Sequence, residues 1–270
     1  MASNNGHIIL QERDMRMLVA CYRFRFLSRD QIMRLFGFGS VSGANARLRK
    51  LRDGKYLEQR VVPVALASAQ SVYSLGARGV EAVSDYLGID IGEIGQHIRR
   101  NMRLGEFSLL HLVECNDVRI AFVQSQEVEL VRWLHEPQIS LNGKGKLGPD
   151  AFFQVVYDEK LFSFFMEYDR GTMSVGRFVN EKVGAYLNMI RSGIHKQAFG
   201  INYFAVLTVV SSNRRLISLH KAVSRRIKGL FWFVEREHAI SENITKPIFV
   251  KSGGNIRKSL FVGGNGNEIL

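Results

Sequence analysis

The sequence predicts a mixed protein, α/β in class and α+β overall: a small helical unit with a β-hairpin, then a larger unit around a mixed central sheet. Three observations carry this expectation. Three short helical patterns near the N-terminus precede two β-like runs. Beyond about residue 104, strand-length apolar runs alternate with helical patterns. Hydrophobic residues make up 46% of the 270, enough to bury a core in one large domain or two modest ones. The patterns divide the chain into 1–100, 101–250 and a Gly- and Asn-rich segment, 251–270, expected to be a loose tail.

Each element has a local reason. Met15, Leu18, Val19 and Tyr22 give helical spacing over 11–24. Ser28-Arg29-Asp30-Gln31 has the form of a capping box and opens a second helix through Leu35. Gly37-Phe38-Gly39-Ser40 breaks it. A third helix is expected over 42–53, with Ala46, Leu48 and Leu51 inward and Gly54 as its cap. Residues 56–64 and 70–75 read as strands around an Ala/Ser-rich turn, and 78–87 as a helix. This is the order of a winged helix-turn-helix. Residues 89–103 read as a connector and 104–124 as a long amphipathic helix. Strands are expected at 128–134, 151–157, 161–167 and 203–210, with helices at 179–192 and 214–228.

Charge narrows the function. A formal net charge of +12 suits a polyanion, either nucleic acid or an acidic membrane surface. No hydrophobic run reaches spanning length, and no secretory signal or basic amphipathic anchor stands out, which disfavours the membrane. Cys21 and Cys115 lie in apolar helical patterns, as expected of a reduced, cytoplasmic protein. The third helix carries Asn45, Arg47, Arg49, Lys50 and Arg52, residue types suited to base edges in the major groove of double-stranded DNA. Lys55 and Arg60 extend the basic surface into the hairpin for phosphate contact. From 182 to 234 there is no Asp or Glu but nine Lys or Arg, with Arg214, Arg215, Arg225 and Arg226 among them, the mark of a phosphate-tracking surface. Symmetric operators call for two readers, so a homodimer is expected.

Three acids stand out: Asp150 after Gly148-Pro149, and Glu167 and Asp169 at the end of a strand apolar on both faces. Strand alternation puts Glu167 and Asp169 on one face. Asp150 joins them only if the hairpin pairs it with one of the two; a one-residue slip separates them. Clustered carboxylates make a hard oxygen site for Mg²⁺ or Mn²⁺. Strand-end acids also pair with arginines such as Arg170, and spacing alone leaves both readings open. His111 and Glu114 share a helix face, but His111 with Cys115 is too sparse for a zinc site.

Pro149-Asp150 followed by Glu167-x-Asp169 resembles the Pro-Asp…(Asp/Glu)-x-Lys pattern of restriction-endonuclease-like nucleases. More closely, Gly148-Pro149-Asp150-Ala151, Glu167-Tyr168-Asp169-Arg170-Gly171-Thr172 and Lys182…Tyr186 resemble the replication-relaxation family. That resemblance implies a winged helix ahead of a PD-(D/E)xK-like domain. It implies a DNA-binding protein of a plasmid or integrative element, acting in replication, relaxation or transfer with other proteins of those processes. In the enzyme version Asp150 and Glu167 hold the metal, Asp169 supports it and Lys182 assists the attacking water. The alternative is a non-enzymatic transcriptional regulator that keeps a decayed nuclease-like domain for dimerisation or DNA binding. One departure matters: the pattern wants a lysine where Asp169 stands, so Lys182 must supply the ammonium from the following helix. The seven scattered histidines give no metal cluster of the kind a tyrosine relaxase uses.

Overall fold

The structure, a computed structural model, describes residues 8–64, 67–135, 148–241 and 243–261, with side chains left out at 64, 67 and 68. The chain forms two compact units, 1–117 and 118–270.

Unit 1 opens with α1 (Glu12–Phe24), β1 (Leu27–Ser28), α2 (Arg29–Phe36) and α3 (Val41–Asp53), followed by the strands β2 (Leu57–Val64) and β3 (Ala67–Leu75). The three strands form one antiparallel sheet in the order β1-β3-β2. The capping box at Ser28 forms as the sequence predicts: Gln31 N–H donates to Ser28 Oγ (3.1 Å), and Ser28 N–H donates to Gln31 Oε1 (3.0 Å). Gly37 ends α2 at φ 62°, a left-handed value that glycine adopts without strain. The inner face of α3 is Ala44, Leu48 and Leu51, spaced four and three residues apart; Ala46, expected inward, is exposed. Next comes α4 (Ala77–Leu87), which crosses the start of β2 so closely that a Cβ on Gly79 would lie 2.1 Å from Tyr56 O.

The expected connector at 89–103 is instead a helix, α5 (Ile91–Met102). Its glycines are outweighed by a capping Asp90, which accepts from Glu93 N–H, and by a buried side with Ile94 and Asn101. Asn101 Oδ1 accepts from the buried Arg25 Nε at 2.6 Å. The boundary expected near residue 100 therefore falls inside a helix, and the two units divide within the next one, α6 (Glu106–Gln124). The first part of α6 ties down the turn after α1: Asn116 Nδ2 donates to Phe24 O (3.0 Å) and Phe26 O (2.7 Å), and Gln31 Nε2 donates to Val113 O (2.6 Å).

Unit 2 is a seven-stranded mixed sheet in the order β10-β9-β8-β7-β6-β5-β4. An antiparallel meander of β4 (Glu129–His135), β5 (Ala151–Tyr157) and β6 (Lys160–Asp169) is continued by β7 (Ala205–Val210) and β8 (Phe231–Glu235), both parallel to their predecessors. The antiparallel β9 (Phe249–Lys251) and β10 (Arg257–Lys258) close the far edge. Strands β8 to β10 were not among the expected ones. The chain before β7 forms α7 (Val175–Phe178), a π-helical turn (Val179–Val183), α8 (Gly184–Ser192) and α9 (Ile194–Phe199). Later come α10 (Asn213–Ser224) and α11 (Arg236–Ser241). One face of the sheet packs Phe152, Phe165, Phe231 and Phe233 against Phe178, Tyr186, Leu216 and Leu219; each fully buried phenylalanine contributes about 1.5–3 kcal/mol. The segment expected to be a loose tail is structured as far as Phe261, whose ring stacks on Tyr157 at 4.6 Å; residues 262–270 lie outside the described residues.

A buried ion pair fastens α3 to α1. Asp14 is fully buried, accepts from Gln11 N–H (2.7 Å) and takes both Nε (2.8 Å) and Nη2 of Arg47. Removing one member of a buried pair costs more than the pair contributes, because the other charge is left unpaired. Asp14→Ala is therefore expected to destabilise unit 1 by about 3 kcal/mol, read as a lowered denaturant midpoint. A change below about 0.5 kcal/mol would show that the pair is dispensable.

Candidate functional site

The hairpin of β5 and β6 decides the site. Ala151 pairs with Met166, and Asp150 N–H donates to Met166 O at 3.0 Å, so Asp150 stands opposite Glu167 on the neighbouring strand. Of the two registers open to the sequence, this is the clustering one. Asp158 and Glu159 make the connecting turn with φ of 49° and 60°. The half-buried Asp150 is oriented by Tyr168 N–H, which donates to its Oδ2 at 2.6 Å.

Glu167 is buried in β6, an interior strand, where an isolated carboxylate is costly. Two side chains from the next helical segment compensate it. Lys182 Nζ lies 2.7 Å from Oε2, and the Tyr186 hydroxyl donates to Oε1 at 2.7 Å. The two partners are four residues apart and so share a helix face. Lys182 sits in the π-helical turn, a local widening frequent at functional sites, and also donates to Gly148 O at 2.9 Å, holding the Pro149-Asp150 approach against the helix. Burial pushes the Glu167 carboxyl up to about 7; the Asp150 charge pushes the same way, while Lys182 and Tyr186 oppose it. Burial and the Glu167 charge hold the Tyr186 phenol well above its ordinary value.

Asp169 shares the strand face but not the cluster. It is buried and clasped by Arg215, with Nη2 2.7 Å from Oδ2 and Nε donating to Oδ1 at 3.3 Å, while Gly171 N–H donates to Oδ1. Arg215 Nη2 also donates to Met173 O at 2.6 Å, joining α10 to the loop after β6. Two expectations are corrected here. Asp169 is committed to an arginine rather than to metal support, and Arg215 is a brace rather than a phosphate contact. Lys182 pairs with Glu167 from the following helical segment.

The basic residues of unit 1 also sort into two groups. Arg47 is spent on Asp14 and Ile9 O, Arg52 on Asp53 and Gln59, and Arg60 on Leu104 O beneath the Phe26 ring. Arg47 is corrected from base reader to anchor. Arg49, Lys50 and Lys55 are exposed, and Asn45 is half-buried. In unit 2, Arg214, Arg225 and Arg226 are exposed. The sequence reading missed Tyr186 as partner of Glu167, although its spacing from Lys182 was visible. It also missed the Asp14–Arg47 and Asp169–Arg215 pairs, which join residues 33 and 46 positions apart.

A divalent ion is the group this family resemblance implies, and the donor set fits one. Asp150 and Glu167 are hard oxygen donors on adjacent strands, and a carboxylate offers about four lone-pair directions, of which Glu167 uses one on each oxygen here. The raised Glu167 carboxyl, with a second acid beside it, is the electrostatic condition a cation relieves.

Fold and site together define a mixed α/β protein with a compensated carboxylate pair at one sheet end. The chain belongs to the replication-relaxation family, whose model matches residues 18–203, and membership points to a role in the replication or relaxation of plasmid or other mobile-element DNA. No curated protein and no solved structure matches the chain. Among the described residues, no helix is long and apolar enough to cross a membrane.

The buried carboxyl generates a pH prediction. Folded Glu167 keeps its proton up to about pH 7, whereas the unfolded chain releases it near 4.5. Between those values the folded state binds more protons, so this group's contribution to stability falls as pH rises. Glu167→Gln lacks that descent. In metal-free buffer, the stability difference between variant and wild type is expected to shift by about 2 kcal/mol in favour of the variant from pH 5 to pH 8. Parallel stability curves over that range would refute the buried, raised carboxyl.

Proposed function

We propose that this chain is a metal-dependent DNA-nicking protein of a plasmid or integrative element. In this reading unit 1 is a winged helix-turn-helix that reads duplex DNA, and unit 2 is a PD-(D/E)xK-like nuclease domain. The observation that carries it is the convergence of Asp150, Glu167 and Lys182 at one end of the sheet. The antiparallel-then-parallel sheet and the family's name support it.

Asp150 and Glu167 would hold Mg²⁺ or Mn²⁺, which when bound polarises a phosphodiester and lowers the pKa of a coordinated water. Tyr168 N–H orients the Asp150 carboxylate and Tyr186 orients that of Glu167, so both acids are held in set directions. Lys182 donates to Gly148 O and sets its charge against Glu167, so its ammonium group stands beside the acids, where it would steady a phosphate oxygen or the attacking water. No tyrosine nucleophile is invoked; Tyr186 is buried and its proton is engaged.

Supercoiled plasmid with purified protein tests the enzyme. Open circles are expected with Mg²⁺ or Mn²⁺, none without metal, and a rate at least about 100-fold lower for Asp150→Ala. Intact plasmid beside a salt-sensitive gel shift would favour the second reading, a non-enzymatic regulator, which the engagement of both Glu167 oxygens also suits. On the reader, Arg49→Ala with Lys50→Ala is expected to reduce the slope of log affinity against log salt by about two for duplex DNA. An unchanged slope would take α3 out of the interface.

A further inference from the structure

A groove of about 580 Å³ runs between α10 and the β9–β10 hairpin. It lies beyond the residues that the family model matches, and the carboxylate site does not use it. One stripe of α10 forms its wall, including Asn213, Ile217, Lys221 and Arg225, with Asn255 and Arg257 opposite. No acid lines it. Arg257 is fixed by Ile248 O (2.8 Å) and Glu235 (2.6 Å), so it serves as a rigid wall, whereas Lys221 and Arg225 are exposed.

Two features select the occupant. The cations and amides suit a chain of phosphates. Ile217 (57% exposed) is a large apolar side chain set among them. In a duplex the base faces are stacked out of reach, so apolar contact beside a phosphate track serves a strand whose bases are unpaired. A groove of this volume also matches the size of a small ligand, one or two nucleotides, rather than the breadth of a duplex. On its other side α10 sends Arg215 to Asp169, at the end of the strand that carries Glu167. The groove residue Val250 stands in one register row with Phe233, Thr208 and Glu167, three strand spacings or about 14 Å from the carboxylate.

We propose that the groove between α10 and the β9–β10 hairpin binds a single-stranded DNA segment adjoining the carboxylate site. The choice of DNA as occupant rests on the proposed function; the preference for an unpaired strand rests on the groove. A strand released at a nick is the substrate such a groove would keep from re-pairing.

Fluorescence anisotropy on the full chain tests this, with an end-labelled mixed-sequence single strand and the matching duplex as probes. Lys221→Glu alters an exposed position and is expected to weaken single-strand binding at least about fivefold, with duplex binding held within about twofold. Ile217→Ala, which leaves the charge unchanged, is expected to weaken the single strand about threefold and the duplex not at all. Wild-type protein that ignores the single strand, or variants that leave its affinity unchanged, would overturn the proposal. So would equal losses for both probes, which define a general basic face, or displacement of the strand by polyglutamate as readily as by unlabelled strand, which defines a site for an acidic protein. Failure of the duplex reader shows separately, as wild-type protein that binds no duplex, and failure of the nuclease as intact plasmid. Neither alters the single-strand comparison.

Discussion

A carboxylate buried in an interior strand of a sheet is the constraint around which unit 2 is arranged. Glu167 has no water to solvate it, so the fold must supply compensation or keep the group neutral. It does some of each. Lys182 and Tyr186 take one oxygen apiece, yet burial and the facing Asp150 still hold the carboxyl near 7. The π-helical turn widens the helix at Lys182, the residue that reaches both Glu167 and Gly148. On the proposed reading, a carboxylate part-compensated in this way would fold without a cation and still accept one.

The basic residues show how little net charge says about roles. Arginine's planar, permanently charged fork makes it the usual partner for a buried carboxylate as well as for phosphate. Three of the arginines expected to meet DNA turn inward or sideways: Arg47 to Asp14, Arg215 to Asp169, and Arg60 to a backbone carbonyl. What remains exposed is a smaller set, Arg49, Lys50 and Lys55 in unit 1 and Arg214, Arg225 and Arg226 in unit 2. Separating anchors from exposed cations is what turns a basic sequence into two testable surfaces.

Local signals were legible in the sequence. The Ser28 box, the Gly37 break and the strands before and after the Asp158–Glu159 turn all depend on neighbours within a few residues, and they formed where expected. What went unread depends on distant parts of the chain. The glycines of 89–103 suggested a connector, but the helix there is secured by tertiary burial of Ile94 and Asn101. The apolar run at 231–234 is a strand because β7 offers it an edge, and the Gly-rich segment after 251 is ordered as far as Phe261 because that ring finds Tyr157. The hairpin register, left open by spacing, follows from a two-residue turn with left-handed backbone at Asp158 and Glu159.

Asp169 explains why the sequence motif and the site diverge. A lysine two residues after Glu167 would point to the same face, but at that position the structure has a carboxylate locked to Arg215. Replacing Asp169 by lysine would set two cations together and leave the loop through Met173 without its clasp. On the proposed nuclease reading the ammonium group would come from elsewhere, and Lys182 of the following helical segment reaches Glu167 Oε2. Electrostatics depends on the distance between charges and not on the order in which the chain delivers them. A pattern search keyed to residue order misses such a site, whereas one keyed to a buried glutamate, an acid facing it across one strand and a lysine on the covering helix finds it.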